Sequence, residues 1–155
     1  MLVIREDDLS DRQVRDLLAF HLAGMQASSP PGSVFALDLS GLTAPDVTVW
    51  TAWRDGRIAG IGALRRLGGG AAEVKSMRTH PDFLRTGVGA ALLETIIGRA
   101  KAQGVRRLSL ETGSGAAFAP ALALYRKRGF VDGAPFAGYA KSDFNQFLHL
   151  DLNDA

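Results

Sequence analysis

A glycine pair, Gly87 and Gly89, introduces an apolar segment with helical spacing. The pair follows a strand-like run that ends near Thr79 and a short polar loop. A helix that begins in this way directs unbonded backbone N–H groups and the positive end of its dipole at whatever lies in front of it. Glycines let a ligand approach the backbone closely. The segment therefore predicts a pyrophosphate-binding site at a helix start.

Two common phosphate-binding motifs describe this segment poorly. The P-loop pattern G-x-x-x-x-G-K-[ST] does not occur. The dinucleotide fingerprint matches in part, because Glu111 ends the next predicted strand about 20 residues beyond the glycines. However, Leu92 occupies its third glycine position, and residues 80–86 replace its tight turn with a longer loop. A dinucleotide-dependent oxidoreductase is a disfavoured alternative.

Carboxylates near strand ends are candidates for acid–base chemistry. Glu111 ends one predicted strand and Glu73 lies on another, so either can accept a proton from an amine. Glu73 shares a strand face with Lys75, which predicts a surface ion pair as its alternative role. His21 falls on the apolar stripe of the first helix, where a histidine is more often packed than catalytic. The general base therefore stays open between the two glutamates, with Glu111 favoured.

Composition limits the classes of protein that fit. The chain has 155 residues, 46% hydrophobic and 22% charged, which predicts a single globular domain over residues 1–155. The net charge of +2, without a basic run, gives no sign of a nucleic acid partner. The absence of cysteine excludes disulfides, thiolate zinc sites and a cysteine nucleophile, and the three histidines lack metal-ligand spacing, so no metal is expected. An acidic start and the lack of a long apolar run predict a cytoplasmic protein without a membrane partner.

Hydrophobic periodicity predicts the element order β-α-α-β-β-β-α-β-α-β-β. An Asp55-Gly56 turn joins two strands of an antiparallel meander, which feeds a β-α-β crossover and hence a mixed α/β fold. Ser10 is expected to cap the first helix. Residues 34–42 are compatible with either a short helix or a turn. Strands are predicted at residues 2–5, 47–53, 58–64, 72–79, 107–111 and 146–152, and helices before residue 28 and at 87–103 and 120–128.

The segment H-P-D-F-L-R-T-G-V-G-A at residues 80–90 resembles motif A of the GCN5-related N-acetyltransferase (GNAT) superfamily. Downstream, A-L-A-L-Y-R-K-R-G-F at residues 121–130 resembles its motif B, A-x-x-L-Y-x-x-x-G-F. Two positions depart from the family pattern: Leu84 replaces a glutamine or arginine, and Phe118 replaces an asparagine, which makes its surroundings more apolar. The resemblance implies a central mixed sheet of six or seven strands with about four helices, splayed between strands 72–79 and 107–111.

The resemblance also implies an acetyl-CoA-dependent N-acetyltransferase in which a primary amine of a small molecule or peptide attacks acetyl-CoA directly. By the resemblance, Tyr125 would protonate the departing thiolate. The resemblance does not set the base, for which Glu111 stays favoured over Glu73. A homodimer is compatible with the family, and an acyl-CoA-binding sensor or a catalytically silent module is the alternative. The implied cosubstrate-binding residues are Met77, Arg78, Thr79, Arg85, Thr86, Gly87, Val88, Gly89 and Ala90. The implied acceptor-site residues are His21, Ser33, Glu73 and Tyr139.

Overall fold

The computed structural model describes residues 1–152. Seven strands and four helices follow one another in the predicted order. The elements are β1 (Leu2–Glu6), α1 (Arg12–Ala27), α2 (Leu39–Leu42), β2 (Val47–Arg54), β3 (Arg57–Gly68), β4 (Ala71–Thr79), α3 (Val88–Ala102), β5 (Arg107–Thr112), α4 (Ala119–Arg128), β6 (Val131–Asp132) and β7 (Gln146–Asp151). Their order confirms the prediction made from hydrophobic periodicity.

The strands form one mixed sheet in the order β1-β2-β3-β4-β5-β7-β6. Every neighbouring pair is antiparallel except β4 and β5, the parallel pair that the β-α-β crossover predicts. One apolar core lies between the sheet and helices α3 and α4, and a second lies between the opposite face and helices α1 and α2. Within residues 1–152, no helix combines the length and the apolar character needed to cross a membrane.

Local signals set most element ends. The turn at Asp55 and Gly56 has positive φ at both residues, 51° and 76°, as a type I′ hairpin requires. The predicted cap of α1 is wrong by one residue, because the carboxylate of Asp11, not the hydroxyl of Ser10, accepts the Gln13 N–H. Residues 34–42 contain a single helical turn, α2, which Asp38 caps. Aspartate and serine both favour the N-cap position, and the residue next to Ser10 fills it here.

The predicted splay between β4 and β5 is confirmed. The two strands pair only at Ala71↔Arg107, Ala72↔Leu108 and Glu73↔Ser109, and beyond these pairs no ladder joins them. We call this unpaired part of the β4–β5 junction the splay. It leaves backbone groups of both strands without a neighbouring strand in the middle of a sheet, where an extended ligand can add as a further strand.

A bulge in β4 lies beside the splay. Arg78 pairs with Ile61 and Lys75 pairs with Ala63, so β4 carries an additional residue between these pairs. Ser76, inside the bulge, has a φ of 59°. Because the bulge interrupts the alternation of side chains, Lys75 and Arg78 both face helix α1 although they are three positions apart.

Candidate active site

The start of α3 presents backbone donors without a capping side chain. Gly87 precedes the helix in a left-handed conformation with a φ of 87°, and no side chain bonds the first turn. The first helical hydrogen bond runs from the Ala91 N–H to the Gly87 carbonyl, so the N–H groups of residues 88–90 point outward. Unbonded N–H groups at a helix start form an anion-binding position.

Glycine is required at the two positions of this helix start for different physical reasons. A Cβ at Gly89 would lie 3.2 Å from Leu124 Cδ2 and 3.6 Å from Thr79 Oγ1, so only a hydrogen fits between α3, α4 and the end of β4 without adjustment. A Cβ at Gly87 would meet nothing within 4 Å, and glycine is needed there for its positive φ instead. Leu84, the departure from the motif, points into solvent with 59% of its surface exposed.

Loop residues before α3 are held by local hydrogen bonds. Thr86 Oγ1 donates to the Phe83 carbonyl at 2.6 Å, and Arg54 Nη2 donates to the Thr86 carbonyl at 3.0 Å. Arg85 adopts a φ of 62°, which is uncommon for a residue with a side chain. These contacts fix the backbone in front of the helix, so the outward N–H groups are positioned in advance.

Tyr125 lies on the α3 face of the sheet. Its ring is buried and packs at 5.7 Å, centroid to centroid, against Phe130. Within residues 1–152 its hydroxyl makes no hydrogen bond, and burial raises the pKa of the phenol above its usual value. The phenol is therefore protonated at neutral pH and available as a proton donor.

Phe118 creates the apolar surroundings that the sequence predicts. Its ring is buried and meets the ring of Phe144 edge-on at 5.5 Å. Gly113 lies against both rings, and a Cβ there would come within 2.7 Å of Phe118 Cε2. Packing between aromatic rings thus takes the place of an amide side chain at this position.

Glu73, Lys75 and Tyr139 form a buried polar cluster on the α1 face. Lys75 Nζ donates to Glu73 Oε2 at 3.2 Å and to the Tyr139 hydroxyl at 2.8 Å, and that hydroxyl donates to Glu73 Oε2 at 2.6 Å. The predicted ion pair exists, but the prediction that it lies at the surface is wrong, since Glu73 is 1% and Lys75 8% exposed. The loop that carries Tyr139 covers this ion pair.

Glu111 lies near this cluster but differs from Glu73 in its bonding. Leu108 and Leu110 of β5 pack into the α3-side core, so Glu111 faces the α1 side, opposite Tyr125. Within the described part of the chain its carboxyl makes no hydrogen bond or ion pair. Burial raises the pKa of Glu111 to about 7, against the opposing charge of Lys75. Glu111 is therefore the carboxyl of the site that changes protonation near neutral pH.

His21 contacts Arg78 and stands apart from the glutamates. Its ring is buried, and Nδ1 accepts a hydrogen bond from Arg78 Nε at 3.0 Å. Burial, together with the charge of Arg78, lowers the pKa of His21 to about 4, so the ring is neutral at physiological pH. The geometry makes His21 a hydrogen-bond acceptor for an arginine.

The loop after α1 contributes an aromatic residue that sequence reasoning missed. The Ser33 N–H donates to the Pro30 carbonyl, and in residues 1–152 its side chain makes no hydrogen bond to the other candidates. Phe35 instead packs edge-on against Tyr139, with ring centroids 5.2 Å apart. The buried role of Lys75 was also missed. The Glu73-x-Lys75 spacing was the available signal for it, whereas nothing local pairs Phe35 with Tyr139.

Comparison with protein families and relatives identifies the class of protein that this fold and site define. Residues 14–130 match the model of the acetyltransferase (GNAT) family. The chain belongs to that family and is an acetyltransferase. Its resemblance in motifs A and B, together with the splayed seven-stranded sheet, agrees with this assignment.

Particular relatives are similar along nearly the whole chain. The uncharacterized N-acetyltransferase YedL of Escherichia coli K12 is 45% identical over 98% of this chain and 96% of its own. The uncharacterized N-acetyltransferase YsnE of Bacillus subtilis 168 is 46% identical over 96% of this chain and 99% of its own. A Bacillus subtilis acetyltransferase solved in complex with CoA has a TM-score of 0.73 at 21% identity, covering 99% and 100% of the two chains, and shows the same fold.

Proposed function

We propose that the protein transfers an acetyl group from acetyl-CoA to a primary amine of a small molecule or peptide in the cytoplasm. One observation carries the proposal. The splay has outward N–H groups at its α3 end and, on its α1 face, a carboxyl whose pKa of about 7 suits a general base.

The residues around the splay fit the cosubstrate in two parts. Backbone groups of Arg85, Thr86, Gly87, Val88, Gly89 and Ala90 would hold the pyrophosphate. The edge of β4 at Met77, Arg78 and Thr79 would bond the pantetheine arm like an added strand. A Bacillus subtilis acetyltransferase with the same fold was solved in complex with CoA, which supports CoA as the carrier of the acyl group.

Two side chains on opposite faces would handle the protons of the reaction. The thioester supplies the acetyl group when it is bound. The Glu111 carboxylate would accept the proton of the attacking amine, and its partial exposure favours it over Glu73, which Lys75 and Tyr139 already engage. The Tyr125 hydroxyl would donate a proton to the departing thiolate, since burial keeps the phenol protonated.

The acceptor would lie on the α1 face, between α1 and the loop that carries Tyr139. Glu73 and Tyr139 would form one wall of this pocket, and His21 and Ser33 would lie toward α1. A single domain over residues 1–155 and a possible homodimer remain predictions, as does the lack of a metal, nucleic acid or membrane partner.

A thiol-release assay over a panel of primary amines tests the proposal, with CoA binding measured by calorimetry in parallel. We expect CoA to bind and at least one amine to give amine-dependent thiol release. CoA binding without thiol release from any amine would instead support an acyl-CoA sensor. Binding of NADH that is stronger than binding of acetyl-CoA would favour the dinucleotide alternative.

A further inference from the structure

Arg78 is a half-buried cation whose contacts are all uncharged. Its Nε donates to neutral His21 at 3.0 Å, and its guanidinium carbon lies 5.6 Å from the centre of the Phe20 ring. Its Nη2 lies 3.2 Å from the position that a Cβ at Gly24 would occupy. In the part of the chain that the structure describes, Arg78 forms no ion pair, and its four Nη–H donors have no hydrogen-bond acceptor.

This environment differs from that of the other buried cation of the site. Lys75 is paired with Glu73 at 3.2 Å, so its charge is compensated within the protein. Arg78 has no such partner, and burial lowers the pKa of its guanidinium. An arginine with an unpaired charge and a fixed Nε is a ready partner for a planar anion, because the Nη donors can bind two oxygens at once.

We propose that Arg78 binds a carboxylate of the amine acceptor, so that the acceptor carries an amine and a carboxylate in one small molecule, as amino acids do. This inference rests on the proposed acetyltransferase function. Neutral His21 is the positioning residue, since its Nδ1 holds the Arg78 Nε and leaves the Nη donors for the ligand.

The layout of β4 suits such a molecule. Arg78 and Lys75 lie opposite Ile61 and Ala63, two residues apart on β3, a separation of about 7 Å along the strand. Glu111 lies near Lys75, because the lysine charge acts on its carboxyl. The Glu111 carboxyl, which would accept the amine proton, and the Arg78 guanidinium thus face the same side of the sheet, with Lys75 near the first and about 7 Å along the strand from the second.

The charge balance favours a carboxylate over a phosphate. Arg78 offers one uncompensated positive charge, which matches a monoanion. Glu111 lies on the same face without an ion-pair partner in residues 1–152, and its negative charge as a base disfavours a dianion. The charge of Glu73 is already compensated by Lys75.

The test compares matched acceptors with the 155-residue chain. The probes are the free α-amino acids and the carboxamide of each, with thiol release as the readout. We expect at least one amino acid to be acetylated with a kcat/KM at least about 10-fold above that of its carboxamide. Arg78→Gln should raise KM for that acid by about 10- to 100-fold. It should leave KM for the carboxamide and for acetyl-CoA within about threefold, because the backbone is retained.

Two further variants separate binding from folding. Gly24→Ala adds a methyl group against Arg78 Nη2 in the last turn of α1, where alanine favours the helix over glycine. It should raise KM for the acid without lowering the melting temperature. Arg66→Gln, on an exposed arginine of β3, is the control and should change neither KM.

A readout without turnover is the Arg78 Nε–H resonance in NMR spectra of the CoA-loaded protein. It should shift when the amino acid is added and not when the carboxamide is added. Equal kcat/KM for acids and carboxamides, or equal losses for both in Arg78→Gln, would overturn the inference while the acetyltransferase proposal stands. Absence of thiol release from every amine would refute that proposal instead, and the Nε–H titration would then decide for or against carboxylate binding.

Discussion

On the α3 face of the splay, the proposed CoA cradle consists of backbone N–H groups and glycines, whereas on the α1 face the site consists of polar and charged side chains. The first region owes its shape to the left-handed Gly87 and to the narrow space between Gly89 and Leu124, in which a Cβ would be crowded. The second owes its properties to burial. Glu73 and Lys75 are buried as an ion pair, and burial raises the pKa of Glu111. A binding site made of backbone groups depends on the absence of side chains at certain positions. A site made of side chains depends on which charges those side chains carry.

Gly89→Asp tests the backbone region and should have the largest effect. We expect CoA affinity to fall at least about 1,000-fold, because a carboxylate would occupy the helix start and repel the pyrophosphate. Calorimetric titration with CoA measures the change. Gly98→Asp, on an open position of the same helix, is the matched control and should bind CoA like the parent. Unchanged affinity in Gly89→Asp would sink the assignment of the cradle.

Glu111→Gln tests the side-chain region. We expect kcat to fall by about 100-fold, within the usual range for a general base. In the parent, kcat should rise with pH through about 7 and then level off, because the carboxyl must lose its proton to act. The variant should lack this step, and a pH–rate profile shows whether it does. Glu94→Gln, on the exposed side of α3, is the control.

The same substitution has a stability consequence with a defined sign. A folded-state pKa of about 7, above the ordinary value of 4.5, means that Glu111 contributes stability below the unfolded pKa and loses it as pH rises through about 7. The melting temperature of Glu111→Gln relative to the parent should therefore be higher at pH 8 than at pH 5. An equal difference at both pH values would contradict the raised pKa.

Glu73→Gln separates the two glutamates. The substitution leaves Lys75 buried without a carboxylate, so we expect the free energy of unfolding to fall by about 3 kcal/mol. Denaturant unfolding measures this change. Adding Lys75→Met should restore most of the lost stability, because the uncompensated charge is then removed. A larger loss of turnover per folded molecule than in Glu111→Gln would reverse the roles of the two residues.

Tyr125→Phe should have a smaller effect on the chemical step. A thiol has an ordinary pKa near 8.5, so a thiolate departs with limited help, and we expect kcat to fall by about tenfold. Acetyl-CoA binding should change little, because the hydroxyl makes no hydrogen bond within residues 1–152. Steady-state kinetics and calorimetry report the two quantities, and equal kcat in variant and parent would remove Tyr125 from the mechanism.

Leu84→Gln should have the smallest effect on CoA affinity. It tests directly whether the cradle is made of backbone groups or of side chains. It restores the family residue at a position whose side chain is 59% exposed. If backbone groups form the cradle, CoA affinity should change by less than about threefold. A tenfold gain in affinity would show that a side chain contributes at this position after all.

The contrast also explains what the sequence could predict. The element order and the α3 start follow from local patterns: periodicity, the Asp55-Gly56 turn and the glycine pair. The splay was expected only from the resemblance in motifs A and B. The common face of Lys75 and Arg78 could not be predicted, because strict alternation places them on opposite faces and the bulge at Ser76 leaves no clear sequence signal. The Phe35–Tyr139 contact likewise depends on two loops that only the folded chain brings together.

Because few residue pairs join β4 and β5, backbone amides of β4 can report whether a ligand occupies the splay. In the folded chain, amides of residues 74–79 that point away from β3 have no strand partner, so their hydrogens should exchange with deuterated solvent quickly although they lie mid-sheet. A molecule that adds along this edge would slow exchange at alternate residues, in the two-residue rhythm of a strand. Occupancy of the splay can thus be followed amide by amide, before any acceptor is known.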